Sequence, residues 1–164
     1  AWSLDTARAI ARALPDFMPL YVEEPLAEVT QLPAFQDATG WTLALDETLH
    51  GLKPDQPLPV IPGVVAWVLK PTLLGSLDAV ADWQARAVRS DTVAVISAAY
   101  ESGVGIRMLG EIASRVPDWA AGLDTYRFLA ADVLEPRLDM ESGWLDLPNA
   151  RTLAVQSTYL TRVA

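Results

Sequence analysis

The chain has 164 residues, 51% of them hydrophobic, with a net charge of −9 and a pI near 4.4. That length supports one domain with a buried core, and the acidic balance argues against nucleic acid or an anionic membrane as a partner, since both want a basic face. With no cysteine there is no disulfide framework, thiolate chemistry or zinc–thiolate site, and no apolar run reaches the roughly 18 residues of a membrane span.

In chain order, Ser3 caps a predicted helix to about Leu14, with Leu4, Ala7, Ile10, Ala11 and Leu14 at helical spacing. Pro15 and Pro19 end it, and Tyr21 to Pro25 reads as a short strand with acids at its tip. A helix follows from Leu26 to about Ala38, with Pro33 as an interruption or second start and Gly40 as its stop. Trp41 to Glu47 is a second strand ending on acids. Leu49 to Gly63 holds Pro54, Pro57, Pro59 and Pro62 and is expected to be mostly loop. Val64 to Lys70 is the third strand, and Pro71 is expected to forbid a helix at that point. A helix from Leu74 to about Arg89 leads to a fourth strand, Thr92 to Ser97. A helix from Glu101 to about Val116, a strand or turn at Gly122 to Thr125 and a helix to about Leu134 complete the regular part. Glu141-Ser142-Gly143, flanked by Leu138 to Met140 and Trp144 to Leu147, predicts a hairpin.

The strand tips Glu23, Asp46, Lys70, Ser97 and Gly122 stand 23, 24, 27 and 25 residues apart. That is the length of a strand plus its returning helix, the connection that parallel strands require. The pattern gives an α/β protein with polar groups at the carboxyl ends of its strands, where such folds bind ligands. An open doubly wound sheet and an incomplete (β/α) barrel both fit. The lack of a glycine-rich phosphate loop after any strand weakens nucleotide binding.

Lys70 ends an apolar run and is one of only two lysines, with Lys53, against ten arginines. An ammonium at the end of a buried strand serves proton transfer or electrostatics, or else it snorkels to the surface. Glu23 and Asp46 end neighbouring strands, and paired carboxylates with oxygen-only donors suit Mg²⁺ rather than zinc. Only one of Glu23 and Glu24, and one of Asp46 and Glu47, can face inward, because side chains alternate along a strand. The alternative is that these acids are helix-start charges or partners of arginines. His50, the only histidine, is expected to be a solvated loop residue.

Taken together, Tyr21-Val22-Glu23-Glu24-Pro25-Leu26, Leu45-Asp46-Glu47, Val68 to Ser76 with its Lys70-Pro71-Thr72, Ala94 to Gly105 with its Glu101-Ser102, and Gly122-Leu123-Asp124-Thr125 resemble the o-succinylbenzoate synthase family of the enolase superfamily. The acid-containing pieces are shared across that superfamily; the later three, in this order and spacing, are the more specific. The resemblance covers about Ala1 to Leu134. It implies a partial TIM-type (β/α) barrel of about five units, with the first strands and most of a capping domain absent. Residues 1–135 would form the barrel portion, and 136–164 a hairpin and tail packed on the capping domain.

The resemblance further implies one Mg²⁺ and the dehydration of a succinyl-bearing hydroxycyclohexadiene carboxylate to o-succinylbenzoate in menaquinone synthesis. By position, Glu23 and Asp46 would be metal ligands and Lys70 the active-site lysine. Ser97 and Gly122 would lie along the pocket of the succinyl arm, partly through backbone groups. The family's third metal ligand and its acid/base lysine would fall upstream of Ala1, so the chain is expected to be a carboxyl-terminal portion that needs a complementary amino-terminal piece. N-succinylamino acid racemisation, another superfamily reaction, and a non-catalytic docking fragment are the alternatives. No signal peptide is visible, and a cytoplasmic location is expected.

Overall fold

A computed structural model of the chain describes residues 1–50, 52–58, 60–116, 119–147 and 153–156. The chain divides into two compact units, Ala1–Leu69 with Ser76–Ala94, and Lys70–Gly75 with Val95–Ala164.

The first unit opens with α1, Leu4–Ala13, whose cap is Ser3: its Oγ accepts from the Thr6 amide at 3.1 Å. Asp5 in the first turn and Arg12 in the last complement the helix dipole. Strand β1 is Val22–Glu23, α2 is Leu32–Thr39, β2 is Leu43–Leu45 and β3 is Val64–Leu69. Pro33 lies in the first turn of α2, where its missing N–H costs nothing, and a 3₁₀ turn at Val29–Gln31 precedes it. Gly40, at φ +70°, ends α2 in the left-handed conformation that glycine adopts freely. Helix α4, Leu77–Arg89, is capped by Ser76 Oγ on the Ala79 amide and leads to β4, Val93–Ile96.

The sheet runs in the order β1-β2-β3-β4, with β1–β2 and β2–β3 parallel. Val22 pairs with Leu43, Glu23 with Ala44 and Leu45 with Trp67. All of β2 and the carboxyl-terminal half of β3 are buried, the uninterrupted burial that marks a covered parallel strand.

Between β2 and β3 a 3₁₀ turn, Glu47–Leu49, gives way to the proline-rich loop, and no helix forms among its described residues. Arg86 of α4 fills that role. Its guanidinium lies 5.3 Å from the centre of Trp83 and 5.8 Å from that of Trp67. From there it donates to the Pro54 and Gln56 carbonyls at 2.8 and 2.5 Å. The two indoles meet edge to face at 5.6 Å.

In the second unit Pro71 opens a short helix, α3, Pro71–Leu74, contrary to the expectation that it forbids one. It stands in the first turn, where proline's fixed φ favours a helix. Gly75, at φ +82°, stops α3. Helix α5 is Gly103–Ala113. The expected helix to Leu134 is absent; a 3₁₀ turn, Asp124–Phe128, stands in its place. Long-range bonds outcompete the local ones here. Asp132 Oδ1 accepts from the Gly103 and Val133 amides, each at 2.8 Å, and its Oδ2 from the Tyr126 hydroxyl. Arg137 donates to the carbonyls of Leu129 and Tyr126 at 2.9 and 3.2 Å.

Strand β5, Leu134–Glu135, pairs antiparallel with β8, Ala154–Val155. The hairpin forms as read from the sequence, with β6, Met140–Glu141, and β7, Trp144–Leu145, joined by Ser142 and Gly143 at φ +53° and +81°. Leu145 and Leu147 lie over Gly110 of α5: a Cβ there would meet their methyls at 3.0 and 2.9 Å. Of the tail beyond Arg151, only residues 153–156 are described.

Candidate active-site segments

The first unit positions the two carboxylates at the ends of adjacent strands. Glu23 closes β1 and is exposed. Its charge, after the larger effect of burial, pushes the Tyr21 phenol above its ordinary range. Glu24, at φ +36°, turns the other way. Its Oε1 accepts from the amides of Asp46 and Thr48 at 3.0 and 2.9 Å, tying the end of β1 to the turn that follows β2. The choice between Glu23 and Glu24 thus falls to backbone hydrogen bonding, and Glu24 is the clamp.

Asp46 is 1% exposed. Its Oδ1 lies 3.3 Å from His50 Nε2, one helical turn on, so the loop histidine is exposed, as expected, and also stands beside a buried acid. A buried carboxylate is tolerated when such partners compensate for the lost hydration.

The carboxylates of Glu23 and Asp46 are hard oxygen donors, the kind Mg²⁺ prefers. Among the described residues no three His, Cys, Asp or Glu side chains gather as a metal site. Among the described residues the donors therefore fit Mg²⁺ in kind and fall short in number.

The second unit holds the other three expected residues. Lys70 is half-buried and occupies the cap position of α3, with its carbonyl accepting from the Leu73 and Leu74 amides at 2.9 and 3.0 Å. Ser97 and Gly122 form a parallel bridge. The Gly122 amide donates to Ile96 and its carbonyl accepts from the Ala98 amide, both at 2.9 Å, and from Ser97 Oγ at 3.1 Å. A Cβ on Gly122 would come within 2.8 Å of Ser97 Oγ, so a side chain there would push the Ser97 hydroxyl out of its present position. Their separation of 25 residues, read as one strand-and-helix unit, ends in a parallel bridge between them.

The sequence offered Glu24 as the alternative to Glu23 and held Thr72 and Glu101 within its motifs without giving either a role, and it did not single out the Tyr126–Asp132 pair. Thr72 donates to Glu101 Oε1, while Glu101 Oε2 accepts from the Ala99 amide at 2.6 Å. Both residues lie within five positions of the end of an apolar strand, which was the available signal. Asp132 and Tyr126 left none, because their partners are 29 and 12 residues away in Gly103 and Leu138.

No protein-family model matches the chain. It is 34% identical over 153 residues to the o-succinylbenzoate synthase of Enterobacter sp. strain 638, a match that covers 87% of this chain and 47% of that protein. Among solved structures it superposes on a dipeptide epimerase from Cytophaga hutchinsonii, complexed with Mg and the dipeptide D-Ala-L-Val, with a TM-score of 0.76 at 19% identity. That likeness covers 97% of this chain and 45% of the epimerase. A member of the enolase superfamily from Enterococcus faecalis V583 gives a TM-score of 0.75 at 21% identity, covering 96% and 44%. The two structures show the fold alone: this chain adopts part of the α/β barrel that both of them form. The chain spans less than half the length of each of these proteins. Among the described residues no helix is long and apolar enough to cross a membrane.

Proposed function

We propose, from the premise that this chain is a homologue of the o-succinylbenzoate synthases and folds as part of an enolase-superfamily barrel, that it carries one portion of the active site of a dehydrating lyase. The single observation that supports this most is the 34% identity to the Enterobacter synthase over 153 residues. The substrate is a succinyl-bearing hydroxycyclohexadiene carboxylate. Loss of its α-proton and its hydroxyl group as water leaves the aromatic ring of o-succinylbenzoate.

Removal of the α-proton builds negative charge on the substrate carboxylate. The Lys70 ammonium, at the carboxyl end of β3, stabilises that charge electrostatically. Ser97 and Gly122, whose ladder offers a hydroxyl and backbone groups, border the succinyl arm. In the assembled enzyme, Mg²⁺ would take Glu23 and Asp46 among its ligands and neutralise charge when bound. A complementary segment supplies the rest of the barrel, the acid/base lysine and the third metal ligand.

The test is to join the chain to the amino-terminal half of the Enterobacter synthase and follow the absorbance of the aromatic product with Mg²⁺ present. Product is expected, and Lys70→Ala in the same folded assembly should lower turnover by about a hundredfold to ten-thousandfold. A folded, substrate-binding assembly that forms no product overturns the reading. Unchanged turnover in Lys70→Ala removes the role given to that lysine.

The fold likeness to a dipeptide epimerase favours one second reading, racemisation of an N-succinylamino acid at its α-carbon. Incubating the assembly with one enantiomer in deuterated water decides it: no deuterium at the α-carbon excludes it.

A further inference from the structure

The Lys70–Gly75 segment is one short helical turn, and α3 carries no side-chain cap hydrogen bond. A single turn is not stable by its own backbone bonds, because nucleation fixes several dihedrals for each bond gained. Something outside it must hold its shape. Within the same unit the Thr72 hydroxyl, two residues from Lys70, donates to one oxygen of Glu101. The other oxygen of that carboxylate accepts from the Ala99 amide at 2.6 Å. Ala99 lies two residues beyond Ser97, whose neighbour Ala98 donates to the Gly122 carbonyl. Between them Tyr100 takes φ +64°, a conformation that costs a non-glycine residue energy, and it is 65% exposed, so packing does not explain it. The turn at Tyr100 is what brings Glu101 back over its own loop.

We propose that Glu101 is a positioning residue for Lys70: its carboxylate, bonded to Thr72 and to the Ala99 amide, fixes the Lys70 turn relative to the Ser97–Gly122 ladder. The carboxylate accepts at both oxygens, so it joins the turn that carries Thr72 to the Ala99 amide. This deepens the lyase reading and rests on it only for the consequence in catalysis.

The chain's two lysines permit a test that needs no turnover. Lys53, exposed in the loop after β2, serves as an internal reference for Lys70. The folded chain is treated with a limiting amount of an acetylating reagent, and the two lysines are compared by peptide mass spectrometry. Thr72→Val, which keeps the shape and removes the hydroxyl, should raise the Lys70 rate relative to Lys53 by about tenfold, the scale of one charge-assisted hydrogen bond. Glu101→Gln should do the same, the double variant should add little to either, and Thr72→Ser should restore the parent ratio. Circular dichroism establishes that each variant is folded.

An unchanged Lys70-to-Lys53 ratio in folded Thr72→Val overturns the proposal, as does additive behaviour of the two substitutions. The outcome is independent of the lyase reading. Coupling by acetylation alongside unaffected turnover in Lys70→Ala would uphold the positioning and remove the catalytic role. Loss of coupling alongside impaired turnover would do the reverse.

Discussion

Gly103 begins α5 against a wall of three atoms. A Cβ there would lie 2.2 Å from Asp132 Oδ2 and 2.9 Å from both the Tyr126 hydroxyl and a Leu134 methyl. Alanine offers a helix about 1 kcal/mol over glycine. The clash costs more, because the carboxylate cannot retreat without leaving the Gly103 and Val133 amides. Gly103→Ala is therefore expected to destabilise the chain by about 1–3 kcal/mol in a denaturant titration. Asp132, only 8% exposed, does the capping that Ser102 does not, with its negative charge at the positive end of the helix.

The partner of that carboxylate is Tyr126, 2% exposed, whose phenol is pushed above its ordinary value of 10.0 by burial and then by its hydrogen bond to Asp132. The fold therefore favours the neutral phenol. Its contribution is whole below pH 10, where the unfolded chain's phenol is also protonated, and is lost as pH rises through the higher folded value. Tyr126→Phe should lower stability by about 1–3 kcal/mol at neutral pH, since Asp132 loses a donor. It should also flatten the decline above pH 10, which unfolding titrations at several pH values would detect. A decline as steep as the parent's would show that other groups dominate there.

At the scale of elements, the connection between β2 and β3 departs most from the pattern of a strand followed by a helix. Its prolines deny the backbone the donors a helix needs. The loop is held from outside, by Arg86 donating to two of its carbonyls and lying over Trp67 and Trp83. Arg86→Met keeps the aliphatic stem and removes both hydrogen bonds and both cation–π contacts. It should cost about 2–3 kcal/mol and raise amide exchange in residues 52–58 before that of β3. Equal exchange in the parent and the variant would mean that the loop needs no anchor. Helix α5 offers a contrast at its other end. At Gly110 an added Cβ meets Leu145 and Leu147 methyls, the far ends of side chains, which can move where the Asp132 carboxylate cannot.

For the whole molecule, charge is the property that composition fixes outright. A net charge of −9 and a pI near 4.4 make copies repel one another at neutral pH and argue against a phosphate-binding face. Solubility is expected to fall to a minimum near pH 4.4 and to recover on either side, as turbidity across a pH series would show. A minimum near neutral pH would point instead to association through the exposed apolar side chains Phe17, Met18 and Leu20.

The sequence by itself determined the register of the architecture. Buried parallel strands need unbroken apolar residues and a returning connection of fixed reach, so Leu43–Leu45, Val64–Leu69 and Val93–Ile96 announce themselves, as do the polar residues at their tips. Caps and stops at Ser3, Gly40 and the Ser142-Gly143 turn were legible for the same reason, each acting on residues within one turn of itself, whereas the helix expected from Leu74 begins at Leu77 behind its cap Ser76. The tertiary structure decided which side chains serve backbone groups far away in the chain. Glu24 rather than Glu23 binds the Asp46 amide, His50 pairs with Asp46, Glu101 reaches Thr72, and Asp132 caps a helix that begins 29 residues earlier. A predicted helix after Gly122 gave way to that last arrangement. A buried amide or carboxylate takes the partner that folding brings to it, and local pattern carries no record of a partner that distant.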